Sequence, residues 1–159
     1  MKPTMQTMFF DKDGTGNCFE ACIASILEME LSEVPMFHGE NWFSKFYDWL
    51  ISKGFEYNGT INPSDIFNYK IGIDGYFIVA GESPRGNHIR GGHAVIYKSG
   101  KLVHDPHPDN TGIVDIKYGM AIEPISEAAS CGQGSAMQDT AEQNGHIAQQ
   151  INGGAKPTC

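Results

Sequence analysis

Apolar residues follow two different spacings along this chain, and the change of spacing divides it. Phe19, Cys22, Ile23, Ile26 and Leu27 recur at three- and four-residue steps, which predicts a helix with one buried face starting near Cys18. Asn17 stands at the N-cap position, with Glu20 three residues on as its capping-box partner. Leu31 to Pro35 reads as a short capped turn. Trp42, Phe43, Phe46, Trp49 and Leu50 predict a second amphipathic helix, closed by Lys53 and by Gly54 as a C′ glycine. From Tyr76 the period shortens. Tyr76 to Gly81 reads as an apolar strand, Glu82 to Gly92 as a long loop, and His93 to Tyr97 with Lys101 to His104 as a hairpin turning through Lys98, Ser99 and Gly100. Tyr118 to Glu123 is a last strand before Pro124. Helices first and antiparallel strands afterwards predict an α+β domain.

The pattern lapses near Ile125. Residues 126–159 are rich in Gly, Ala, Ser and Gln, with no aromatic side chain. Such a segment buries too little surface to offset the entropy of ordering it. The chain therefore divides into a folded domain, 1–125, and a tail, 126–159, in which Met137 to Ile151 is weakly helical only where it packs on something.

Composition narrows the function. The 159 residues suit one domain. A net charge of −8 with 11 scattered basic residues argues against nucleic acid or an anionic membrane as partner. No apolar run approaches the ~20 residues that span a bilayer, and Met1 to Gln6 lacks the apolar core of a secretory signal. A cytoplasmic location with free thiols is the expectation. Cys18 and Cys22 lie one helical turn apart and Cys131 and Cys159 lie in the tail, so a disulfide framework is not expected. The oligomeric state is not legible.

The candidate chemistry sits at Cys18. It follows the glycine-rich Gly14-Thr15-Gly16-Asn17 and opens the first helix, where unpaired N–H groups and the helix dipole favour a thiolate. Gly91-Gly92-His93 opens a strand and His104-Asp105-Pro106 ends the next one. Brought together, Cys18 is a nucleophile, His93 its base and Asp105 the carboxylate that orients the imidazole. Gly16, Asn17 and Gly92 flank the cysteine and the histidine and are the candidate substrate-contacting positions. Each residue also has a plainer reading: Cys22 is a small buried hydrophobe, His93 could end a strand, and Asp105-Pro106 could be a turn. Metal binding is an alternative, with Cys18, Cys22, His88, His93, His104 and His107 as donors. No paired spacing completes a recognisable zinc set, and no metal or other cofactor is expected.

The blocks Gly16 to Leu27, Gly92-His93-Ala94-Val95 and His104-Asp105-Pro106 resemble the papain-like cysteine peptidases. Among these they are most similar to the group that processes double-glycine leader peptides, and to small stand-alone phage and bacterial proteins. The resemblance spans Gln6 to Pro108 in scattered blocks. It implies a papain-like fold in which the nucleophile's helix packs on an antiparallel sheet. The implied activity is that of a thiol protease or related hydrolase, attacking an amide or isopeptide bond of a peptide or protein substrate through a thioacyl intermediate. It further implies Gln6, the only glutamine before Cys18, as an oxyanion-hole donor beside the nucleophile's own N–H. Deamidation or transglutaminase-type acyl transfer uses the same triad, and a catalytically silent module binding a protein through the same cleft is the alternative outside enzymes.

Overall fold

The computed structural model describes residues 1–9, 16–60, 72–85 and 92–126. Within them the chain is α+β, with helices α1 (Cys18–Leu27) and α2 (Trp42–Ser52) and a five-stranded antiparallel sheet. Strands β1 (Phe55–Thr60), β2 (Tyr76–Glu82), β3 (Gly92–Lys98), β4 (Lys101–His104) and β5 (Asp115–Pro124) lie in the order β1-β5-β2-β3-β4. Among the described residues no helix is long and apolar enough to cross a membrane. The expected tail beyond residue 126, the weak helix in it and His88 lie outside the described residues.

The first helix departs from a one-faced pattern, because every residue from Cys18 to Ile26 is buried. One side of α1 meets Ile78, Ala94, Ile96, Met120 and Ile122 of the sheet, while Phe37, Trp42 and Phe46 belong to the same core. The aromatic rings of Phe19, Phe37, Trp42 and Phe46 meet edge to face, 5.2–6.5 Å between centroids, the arrangement their quadrupoles favour. The capping box predicted for α1 does not form. Asn17 makes no side-chain cap, and Glu20, itself buried, accepts the Phe37 N–H at 2.8 Å. A buried carboxylate bonded to a neighbouring loop takes precedence over capping here.

The second helix, the turn after α1 and the predicted strands hold, with one strand missed; of the loop expected over Glu82 to Gly92, Glu82 ends β2, Gly92 opens β3, and residues 86–91 lie outside the described residues. The turn after α1 is a short 3-10 segment, Leu31–Glu33, in which the Glu33 carboxylate accepts the Glu30 N–H at 2.9 Å. Gly54 follows α2 with φ of +83°, the left-handed geometry of a C′ glycine. Ser99 and Gly100 have φ of +50° and +74°, so β3 and β4 join through the two-residue turn that matches strand twist. β5 begins three residues before the predicted strand. β1, which the sequence reading passes over, pairs along its whole length with β5. The opposite sheet face buries Phe77, Val79, Val95 and Ala121, with Tyr97, Ile113 and Ile116 packed against them.

Candidate active site

The three chemistry-bearing side chains arrive at one end of the sheet from three elements. Cys18 is the first residue of α1, His93 the second of β3, and Asp105 follows the last residue of β4. The hairpin explains the last pairing: β3 and β4 run antiparallel from Ser99-Gly100 with His104 opposite Ile96, so Asp105 leaves β4 heading toward the start of β3 that carries His93. His93 Nε2 and Asp105 Oδ1 are 2.6 Å apart, and both side chains are buried. Since a carboxylate only accepts, the ring proton resides on Nε2 in the neutral imidazole. His93 Nδ1 is buried with no hydrogen-bond partner.

The Cys18 sulfur sits against the neighbouring peptide unit, accepting the Ala94 N–H at 3.4 Å. That nitrogen is bonded to the His93 carbonyl carbon, so the sulfur lies within roughly 6 Å of the His93 Cα by bond geometry. The sulfur thus lies against the His93–Ala94 peptide, while the His93 Nδ1 has no hydrogen-bond partner. Cys18 is fully buried, and its sulfur is disulfide-bonded. The expectation of free thiols is thus corrected for Cys18. It holds for Cys22, a free and buried thiol whose pKa burial pushes well up, with the Asp105 and Glu20 charges adding to the effect.

Asp105 is saturated with donors. His93 Nε2 and the His107 N–H, at 2.6 and 2.8 Å, reach Oδ1. The Gly112 N–H, at 2.7 Å, and an Arg85 guanidinium nitrogen, at 3.4 Å, reach Oδ2. Burial pushes this carboxyl up, but the bonds from His93, His107 and Gly112 outweigh it and hold its pKa below the ordinary value of 3.8.

Gln6 is buried beside this carboxylate, its backbone N–H bonded to Pro106 O at 3.0 Å. Its Nε2 donates to Met8 O at 3.2 Å while Oε1 has no partner. Asn17 faces the same N-terminal segment. Its Oδ1 accepts the Thr7 and Met8 N–H groups at 3.0 and 2.8 Å, and its Nδ2 donates to Thr7 Oγ1 at 3.0 Å. Asn17 is therefore a tie between the start of α1 and residues 7–8, and its amide is committed to that tie. Gly16 is buried next to it, and Gly92 opens β3 opposite Glu82.

Three residues of the cluster carry no mark in the sequence reading. Arg85 bonds Asp109 through Nε and a terminal nitrogen at 2.7 and 3.0 Å and reaches Ser83 Oγ at 3.0 Å. Asp109 is held well below the usual carboxylate range, chiefly by the Arg85 hydrogen bond. Gly81 faces His93 across β2 and β3. The sequence signals were one of two arginines between Glu82 and Gly92 and an aspartate four residues after Asp105, neither distinctive until the fold brings them together. Among the described residues no group of three or more His, Cys, Asp or Glu side chains is placed to hold a metal ion. His104, a donor in the metal alternative, bonds Thr4 O through Nε2 at 2.9 Å.

Comparison with known protein families, with curated proteins and with solved structures finds no match to this chain.

Proposed function

We propose that the protein is a cysteine hydrolase of papain-like architecture, attacking an amide or isopeptide carbonyl of a peptide or protein substrate. The observation that carries this reading is the His93–Asp105 pair at 2.6 Å, with Nδ1 left unpartnered beside the residue that holds the Cys18 sulfur. A buried ring nitrogen without a partner costs stability, and a base awaiting a thiol proton accounts for it.

The chemistry follows from those positions. Once the Cys18 disulfide is reduced, the thiol proton passes to His93 Nδ1 while Asp105 holds Nε2–H and the ring's orientation. The thiolate adds to the carbonyl carbon. Its oxyanion is stabilised by the N–H groups at the start of α1 and by the Gln6 amide, a contribution worth about 2.7–4 kcal/mol per donor. Collapse of the adduct expels the amine, which takes the proton back from Nδ1 and leaves a thioester on Cys18. Water, deprotonated by the same nitrogen, cleaves the thioester to the acid and restores the thiol.

The test is twofold. Reduced protein treated with iodoacetamide should label at Cys18 well below pH 8, and His93→Ala should slow that labelling at least tenfold. Equal rates in the two proteins would defeat the reading. Mass spectrometry of peptide mixtures incubated with wild type and Cys18→Ser then separates outcomes. Cleavage supports hydrolysis, a one-dalton gain supports deamidation, and an unchanged mixture with bound peptide supports a silent binding module.

A further inference from the structure

The Arg85 cluster lies outside the sulfur–imidazole–carboxylate set and is not explained by it. Arg85 holds Asp109 through Nε and Nη2 and Ser83 through Nη1. The same Nη2 lies 3.4 Å from both Asp105 Oδ2 and His93 Nε2. Nε2–H already donates to Asp105, so the guanidinium cannot also donate to that nitrogen. The contact is a cation set beside the ring.

We propose that Arg85 is a positioning residue of this site, bridging Asp109 to the carboxylate that holds His93 from outside the reacting atoms. Two physical effects follow from the geometry. Arg85 and the His107 N–H anchor the two oxygens of Asp105, which restrains the carboxylate from rotating away from the ring. The planar guanidinium also holds the Asp109 and Asp105 carboxylates at once, tying the loop after β4 to the start of the site.

Among the described residues, Asp105 and Arg85 reach His93 Nε2 at 2.6 and 3.4 Å, and His107 meets the ring edge to face at 6.2 Å.

The proposal builds on the hydrolase reading, yet its test reads the ring itself. Full-length reduced protein is studied by proton NMR, with the downfield Nε2–H of the His93–Asp105 hydrogen bond identified by its loss in His93→Gln. Arg85→Gln should shift or broaden that signal, since one anchor of Asp105 is lost. Arg85→Lys keeps the charge without the planar fork and should recover it only in part. Asp109→Asn, which loosens the guanidinium, should move it in the same direction as Arg85→Gln. A purely structural arginine would cost melting temperature in Arg85→Gln and leave the signal where it was; that result overturns the proposal. If Arg85→Gln does not fold, Asp109→Asn decides, and an unchanged signal overturns it. Iodoacetamide labelling that is indifferent to His93→Ala would refute the hydrolase reading and leave the NMR result standing.

Discussion

Asp105 shows how one buried carboxylate becomes tolerable and useful together. Its four donors replace the water it has lost, and three of them are fixed by backbone or by a buried ring. Its pKa lies below 3.8 in the folded protein, so the unfolded chain binds the proton more readily, and acid favours unfolding. Stability from this group is present above the ordinary carboxylate value and is lost as pH falls through the lower, folded one. Melting temperatures measured from pH 5 to pH 2 should therefore fall steeply in wild type and less steeply in Asp105→Asn. Equal slopes would mean the carboxylate is not held as described. At pH 7, Asp105→Ala strands the His107 and Gly112 N–H groups and Nε2 in a buried space and should cost about 3 kcal/mol in urea unfolding. The two cysteines of α1 are both fully buried and separate by position, Cys18 opening the helix and Cys22 lying one turn inside it. Cys22, with burial holding its thiol protonated, should stay unlabelled in folded, reduced protein under conditions that label Cys18.

At the scale of elements, what can be read from the sequence depends on whether a segment's own residues determine its structure. Both helices are legible, because Phe19 to Leu27 and Trp42 to Leu50 carry their period in themselves. The Ser99-Gly100 turn is legible for the same reason. β1 is not: it carries Asn58 and Gly59, both disfavoured in strands, and it exists because β5 offers it a partner from Phe55 to Thr60. The site divides in the same way. Cys18, His93 and Asp105 each sit at the edge of a legible element, whereas Arg85 and Asp109 gain meaning only once β2 and β4 end at the same end of the sheet, on either side of β3. Glu20 fits a local rule and obeys a tertiary one.

Gly81 is a further tertiary requirement. A Cβ there would stand 2.0 Å from Asp115 O, at the register shift where β5 crosses β2 opposite His93. Gly81→Ala should destabilise the fold by about 2–3 kcal/mol in urea unfolding and slow Cys18 labelling by disturbing the strand that backs His93. A variant as stable as wild type would show that β5 approaches less closely.

Over the whole molecule, the N-terminal segment joins the two structural origins of the site. The nucleophile comes from α1, and its base and carboxylate come from the β3–β4 hairpin. Residues 1–9 bond to both sides. Lys2 N and Thr4 N reach Ser25 of α1 at 3.0 and 2.9 Å, and Asn17 collects the N–H groups of Thr7 and Met8. On the other side, His104 Nε2 donates to Thr4 O and Gln6 N to Pro106 O. The Met1 amino group pairs with Glu28 at 2.6 Å. Removing residues 1–5 deletes the Ser25 and His104 contacts while leaving Gln6 and Asn17 in the chain. Three hydrogen bonds at about 1 kcal/mol each predict a loss of about 3 kcal/mol. If the segment also sets the spacing between helix and hairpin, reduced truncated protein should label at Cys18 several-fold more slowly than wild type at a temperature where both are folded. An unchanged labelling rate alongside the stability loss would show that α1 and β3 keep their register through core packing alone, with the N-terminal segment contributing stability and no geometry.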